Sequence, residues 1–390
     1  MKQGNSAVLA LLLEQIKHIL KKVLQEERTI YLENHPETKG NGYYARDLQF
    51  PFGQLAGLRV PRSRDGGFKS QLLPHRQRAL EETQELVRAL MMAGVSTRKI
   101  GEVFKQLYGM ALSPTTVSRL ASIAEQEIKL WRHRSLLSRY AVLYLDAVFV
   151  VPLKRDRVDK EAVYVALAIR EDGQRELLGY WLPGGGESAQ NWREILLELQ
   201  ERGVQEVEFI VTDALTGLKE VVAEVFPQAQ YQCCVVHMMR HSTHKVRARD
   251  REAILGDFKR VYRAMDVDEA YQCFEELAQR WEPIYPRLIA AWREALPDLL
   301  TFMVLPFPIR AYVYSTNALE RVHKEMKRRL KSMEQFPNQT SAEKYLYAIL
   351  KEINERFQNR RLKNWEYYYN LYQESKKIKT LHRRKQTQLT

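Results

Sequence analysis

Cysteine is scarce in this sequence: there are three in 390 residues, Cys233, Cys234 and Cys273. So small and odd a number argues against a disulfide framework and fits a reducing compartment. Long apolar runs are lacking too. None approaches the roughly 18 residues that a membrane span needs, so no membrane partner and a cytoplasmic location are expected. The apolar patch Ala7 to Leu13 is followed at once by Glu14 and Lys17 and by no small-residue cleavage site, and reads as one face of an amphipathic helix rather than a signal peptide. The glycine-rich "PGGGES" lacks the Gly-Lys-Ser/Thr ending of a phosphate loop, which excludes a nucleotide site of that kind. Acids are the minority charge: 48 Asp and Glu face 61 Lys and Arg, a net charge of +13. A basic chain of this size usually meets a polyanion, and nucleic acid is the leading partner. With 45% hydrophobic residues there is material for globular cores, and the length allows two or three domains.

Residues 1–47 form a helical segment that breaks at "ENHPETKGNGYY". Residues 48–135 form a second region. Its first part, to residue 79, holds short extended pieces around Asp65-Gly66-Gly67. Arg59, Arg62, Arg64, Lys69, Arg76 and Arg78 make it basic, either as a solvated loop or as an arm along phosphates. Three helices follow over 80–131. The first stops at Gly94, the second opens on Ser96 and stops at Gly109, and the third opens on Ser113 with Pro114 at its first position. A short helix, a tight turn and a helix beginning Ser-Pro-Thr-Thr-x-Ser-Arg have the look of a helix-turn-helix. Thr115, Thr116, Ser118 and Arg119 would then lie at the exposed start of a recognition helix. An ordinary three-helix bundle is the alternative.

From 136 to 249 the pattern is α/β. "AVLYLDAVFVVPL", "EAVYVALAIRE" and "GQRELLGYWLP" read as strands, followed by helix, strand, helix and a short strand at "AQYQCCVVH". This is the element order of a ribonuclease-H-like mixed sheet. Residues 250–310 read as an all-helical insertion containing Trp281 and Trp292. Residues 311–360 resume the core. Residues 361–390 are a basic tail, "SKKIKTLHRRKQ", expected to be a mobile end that grips phosphate.

Two strands carry an acid where the pattern calls for an apolar residue: Asp146 in "VLYLDAVFV" and Asp213 in "FIVTDA". A buried carboxylate costs several kcal/mol unless something offsets it. No Lys or Arg neighbours either in sequence, although Asp213 alone could cap a turn. Divalent metal supplies the offset. Mg²⁺, or Mn²⁺ in its place, takes hard oxygen ligands, and two ions roughly 3.5–4 Å apart can hold the attacking and leaving oxygens of a phosphodiester. Glu320, in "STNALERVHKEMKRRLK", is the natural third acid. It also falls three residues after Asn317, a possible N-cap. On the helical wheel Leu319, Val322, Met326, Leu330 and Met333 form a core stripe. Glu320, Lys324, Lys327 and Lys331 fall on one line beside it, with Arg328 near, as an acid for metal and cations for DNA.

The markers "VPRSRDGGF", "STRKIGEVFKQLYG…SPTTVSRL", "LDA", "DGQRELLGYWL", "TDALTGL", "CVVH" and "YSTNALERVHKEMKRR" resemble the Mutator-type superfamily of DDE transposases, in its prokaryotic insertion-sequence branch, over about residues 55 to 360. The resemblance implies a catalytic triad of Asp146, Asp213 and Glu320 with two Mg²⁺ or Mn²⁺ ions. It implies binding of terminal inverted repeats and target DNA, cleavage at the element ends and joining of the 3′-OH. Synapsis implies a homodimer or higher oligomer. Cys234 and His237 match the family's Cys-x-x-His element, which implies a supporting role; with no second Cys/His pair nearby, zinc does not fit. Trp281 or Trp292 could stack on an unpaired base, though either could be a core residue. A DNA-binding protein without chemistry and a structure-specific nuclease on the same core are the other readings.

Overall fold

The structure, a computed structural model, describes residues 2–50, 53–73, 85–87, 89–90, 95–108, 113–120, 125–154, 158–331, 335–336 and 338–387. The chain divides into two compact units, Met1–Gln126 and Glu127–Thr390.

The first unit opens on a long helix, Lys2–Asn34, followed by an antiparallel hairpin of β1 (Gly40–Phe50) and β2 (Gly53–Ser63). Leu24 of the helix is buried with Leu48, Leu55, Leu58, Val60 and Leu73. The extended structure starts at Gly40, well before the expected residue 48. Gly42, at φ 68°, sits where the register shifts between Gly40 and Tyr43, and this bulge lets the strand run into what reads as a chain break. The turn at Asp65 forms as expected: Gly66 takes φ 71° and the Gly67 N–H donates to Asp65 Oδ1 at 3.2 Å. Of the basic residues here, Arg59 stacks on Tyr43 at 4.9 Å with Arg28 at 5.0 Å, and Arg62 lies over Tyr44 at 5.1 Å. Farther along, helices Thr97–Tyr108 and Pro114–Leu120 bury Ile100, Phe104 and Val117 against Val87. Ser96 and Ser113 cap them, accepting from the N–H groups of Lys99 (3.3 Å) and Thr116 (3.0 Å). The predicted stops at Gly94 and Gly109 lie outside the described residues.

The second unit is built on a five-stranded mixed sheet in the order β5-β4-β3-β6-β7. Its strands are β3 (Arg139–Lys154), β4 (Val158–Ile169), β5 (Arg175–Trp181), β6 (Glu206–Thr212) and β7 (Gln230–Cys233). The first three run antiparallel as a meander. β6 joins β3 in parallel, and β7 joins β6 in parallel. The crossovers need helices, and Ala189–Glu201 and Leu218–Val225 provide them. Their apolar faces, with Trp192, Leu196, Leu199 and Val222, pack on Leu143, Leu145 and Tyr164 of the sheet. Strand alternation then turns Tyr144 and Asp146 to the opposite face. There Tyr144 OH donates to the Tyr312 carbonyl, and the helix Asn317–Leu330 lies against β3.

Between Asp213 and Glu320 come the helices Arg251–Arg263, Val267–Trp281 and Pro286–Leu299. Both tryptophans of this insertion are core residues, the alternative that their sequence context also allows. Trp292 is fully buried, lies 4.3 Å from the Phe258 ring and donates its indole N–H to Ser242 Oγ at 2.7 Å. Trp281 is buried and donates to Asp257 Oδ2 at 2.7 Å. Neither leaves an open ring face.

The expected tail also differs. Residues Trp365–Thr387 form a helix, and Trp365, Tyr369 and Tyr372 bury its first turns. Tyr372 OH donates to Glu208 Oε1 at 2.7 Å, and Lys376 pairs with the same carboxylate at 2.6 Å. The aromatic residues at i, i+4 and i+7 outweigh the basic composition that follows them. Among the described residues no helix is long and apolar enough to cross a membrane.

Candidate active site

Asp146 and Asp213 are brought together by strand register. The parallel pairing of β3 with β6 matches Tyr144 to Val211. Continued two residues further, it sets Asp213 beside Asp146 just past the end of β6, with neighbouring strands roughly 4.8 Å apart. Asp146 is buried at 6% exposure. Burial, together with the charges of Asp213 and Glu187 and against the pull of His237, pushes its carboxyl up to about 7. Burial also raises Asp213, with His237 opposing, and Asp213 Oδ1 is buried with no hydrogen-bond partner.

Glu320 arrives from a distant part of the chain, and Cys234 fixes where it arrives. The Cys234 N–H donates to the Thr212 carbonyl at 2.7 Å, one residue before Asp213, and the Thr316 N–H donates to Cys234 Sγ at 3.4 Å. The Val235 N–H reaches the Tyr314 carbonyl at 3.0 Å. One fully buried cysteine therefore ties the strand end that carries Asp213 to the start of the Glu320 helix. That helix begins at Asn317 with Thr316 in the N-cap position, and no side chain caps it. The Asn317 cap is thus corrected, since the preceding residue is held by Cys234 and the helix starts one residue earlier than a cap at Asn317 requires.

The Cys-x-x-His element continues as the helix Val235–Thr243. Its His237 Nε2 lies 3.3 Å from Glu320 Oε1, and Arg240 Nη2 lies 2.9 Å from the same oxygen. Cys234 above all, then Asp146 and Asp213, raise His237 to about 9 against the cost of its burial. In return, burial pushes the Cys234 thiol up, but His237 and Thr316 outweigh it and the net shift is down. His237 Nδ1 makes no hydrogen bond of good geometry. Cys233, next door, is buried and pushed up to about 12.

Three residues at the site escape the sequence reading. His323, one turn after Glu320, is buried within the apolar stripe, and its Nδ1 lies 3.4 Å from Asp146 Oδ2. Burial first, then Lys327 and His237, lower it to about 3, so it meets Asp146 as a neutral imidazole. Glu187 precedes the N-cap Ser188. It accepts from Trp192 Nε1 at 3.0 Å, and burial, with the charge of Asp213, raises it. Arg240 is the third. A spacing of three from His237 on one helix is the signal that could have found it.

The cationic face is partly as expected. Lys324, Lys327 and Lys331 are exposed and make no ion pair among the described residues. Arg328 is taken up by Glu325 in a bidentate pair at 2.9 and 2.7 Å. Leu319, Val322, Met326 and Leu330 are the buried stripe; Met333 lies outside the described residues. At the start of helix Pro114–Leu120, Thr115 and Ser118 are exposed, whereas the Thr116 hydroxyl lies 2.9 Å from Ser113 Oγ. The Arg119 side chain lies outside the described residues. Among the described residues no three His, Cys, Asp or Glu side chains gather closely enough to hold a metal ion, because Glu320 is turned to Arg240 and His237.

A family model described as "Transposase, Mutator family" matches residues 3–360. The chain belongs to the Mutator family of transposases. It is 34% identical, over 85% of its length and 86% of the relative's, to the transposase for insertion sequence element IS905 of Lactococcus lactis. It is 27% identical to the transposase for insertion sequence element IS256 in transposon Tn4001 of Staphylococcus aureus, over 86% and 88%. A solved Drosophila P element transposase strand transfer complex matches 76% of this chain and 83% of that one at 12% identity and a TM-score of 0.28, a likeness that carries no argument about the fold.

Proposed function

We propose that this chain is the transposase of an insertion sequence that binds the element's terminal inverted repeats, cleaves DNA at the element ends and joins the 3′-OH to target DNA. Asp146, Asp213 and Glu320 carry the chemistry on a ribonuclease-H-like core. The observation that carries this reading is the register of β3 and β6, which, continued past the paired residues, sets the buried Asp146 beside the half-buried Asp213 at one sheet end. The strand order, with three antiparallel strands followed by two parallel ones, supports the fold. The relatives' names support the substrate.

The donor set fits divalent metal: the buried carboxylate of Asp146, the half-buried one of Asp213 with an oxygen lacking any hydrogen-bond partner, and a third acid held nearby by a surface pair. Asp146 and Asp213 would hold Mg²⁺ or Mn²⁺, and Glu320 would join them on leaving Arg240. When bound, two such ions supply the Lewis acidity that activates water or a 3′-OH for in-line attack on phosphorus. The protein's own part is to hold these acids rigidly. His323 orients Asp146, and Cys234 fixes the approach of the Glu320 helix. Lys324, Lys327 and Lys331 line one exposed face where they can follow a DNA backbone. The capped helices Thr97–Tyr108 and Pro114–Leu120 serve as the helix-turn-helix that reads the repeat through Thr115, Ser118 and Arg119. Action on two element ends requires two or more copies.

The test is cleavage of a duplex carrying the element end in Mg²⁺ or Mn²⁺. Asp146→Asn, Asp213→Asn and Glu320→Gln are each expected to abolish cleavage while leaving end binding in place, since an amide lacks the charge that holds the cation. Near-wild-type cleavage by any one of them removes that residue from the triad.

A further inference from the structure

Two nitrogen-bearing side chains on successive turns of one helix converge on a single carboxylate oxygen, with Arg240 Nη2 at 2.9 Å and His237 Nε2 at 3.3 Å from Glu320 Oε1. A guanidinium with a second N–H donor beside it is how proteins take a phosphate oxygen. The place is open to a large anion, because the Arg240 side chain is 54% exposed and that of Glu320 28%. It lies beside the buried Asp146 and the half-buried Asp213, where a cleavable phosphodiester would have to come. Neither the triad nor the cationic face of the Glu320 helix uses Arg240.

We infer that Arg240, with His237, is the seat of a DNA backbone phosphate at the cleavage site, and that the Glu320 carboxylate occupies this seat while DNA is absent. The inference rests on the function proposed above. A phosphodiester and a carboxylate each carry one negative charge, and both take N–H donors from a guanidinium, so one can replace the other. Exposed ion pairs are weak, and an incoming duplex brings many charges at once, so the exchange runs toward phosphate. Glu320 is then released to the pair of aspartates, and the third acid becomes available only when substrate is seated. Competition for one cation is reciprocal: whatever removes Glu320 from Arg240 tightens DNA, and DNA loosens Glu320.

The experiment is a double-mutant cycle on DNA affinity, read by fluorescence anisotropy in EDTA so that no strand is cut. The probes are a duplex spanning the element end and a random duplex of equal length. Glu320→Gln is expected to tighten both by about two- to fivefold, the worth of an exposed ion pair. Arg240→Ala is expected to lower the slope of log affinity against log salt by about 0.9, one phosphate's share, and in its background the gain from Glu320→Gln disappears. Asp213→Asn, which removes an acid that Arg240 does not touch, serves as the control: any change it makes is the same with or without Arg240. A Glu320→Gln gain that persists in Arg240→Ala overturns the inference, because the effect is then general charge repulsion. So does an Arg240→Ala protein with wild-type affinity and slope. The cycle is read without metal and the triad by cleavage in metal, so failure of one is separable from failure of the other.

Discussion

His237 is a residue whose charge is set almost entirely by its neighbours. The Cys234 thiol beside it, and behind that the two aspartates, raise it from the ordinary 6.5 to about 9, so at neutral pH it is a cation. The sign of the stability effect follows. A histidine raised on folding contributes in full below about 6.5, and the contribution is lost as pH climbs through about 9. Following the His237 ring by NMR is expected to give a midpoint near 9, and Cys234→Ala is expected to move it down toward the ordinary range. The metal-free protein should lose stability between those two pH values, less so in the variant. A midpoint that ignores the substitution would mean that the aspartates, not the thiol, hold the charge. The difference in legibility among site residues has a physical basis. Asp146, Asp213 and Glu320 stand out because each breaks an apolar or cationic pattern within a few residues of itself. Arg240 breaks none, and its partner lies 80 residues away. His323 sits inside an apolar stripe, where a histidine is ordinarily just a core residue.

At the scale of elements, β5 is an edge strand of the five-stranded sheet, and the helix Gln339–Gln358 closes it. Asn354 Oδ1 accepts from the Leu177 N–H at 2.8 Å, Tyr180 OH donates to the Glu343 carbonyl at 2.8 Å, and Gln339 Nε2 donates to the Leu182 carbonyl at 3.1 Å. Asn354→Leu leaves a buried strand N–H without an acceptor, a penalty of about 1–3 kcal/mol. It is expected to lower the midpoint of urea unfolding accordingly with little change in its slope; an unshifted midpoint would show that the strand finds another acceptor. The five strands were readable because β-branched and aromatic runs, bounded by turns such as Glu171-Asp172-Gly173, leave little choice of element. β1 was less so: its Gly and Asn residues look like a break, and only pairing with β2 makes them a strand. Trp281 and Trp292 show the complementary difficulty. An aromatic ring suits a base or a core equally well in sequence, and only tertiary contact decides.

Across the whole molecule, the late residues complete what the early ones begin. Trp365 is fully buried, stacked on Tyr369 at 5.4 Å with Tyr312 at 5.9 Å, and Lys376 reaches Glu208 across 168 residues of chain. Trp365→Ala opens a cavity under the last helix and is expected to cost about 3–5 kcal/mol, seen as a fall in the thermal midpoint of the unit that carries the sheet. A midpoint within about 1 °C of wild type would mean that the helix contributes nothing to that core. The composition of this stretch concealed it, because the basic residues after Lys376 dominate the eye while three aromatics do the packing.

The tie through Cys234 has a consequence in time as well as in space. On a ribosome the two aspartates are made long before the helix that brings Glu320, and the strand that carries Asp213 cannot be locked until Thr316 has been added. A half-made chain therefore has Asp146 and Asp213 but not the contact that seats the Glu320 helix. The packing of the last helix waits longer still, until Trp365 and its neighbours have followed.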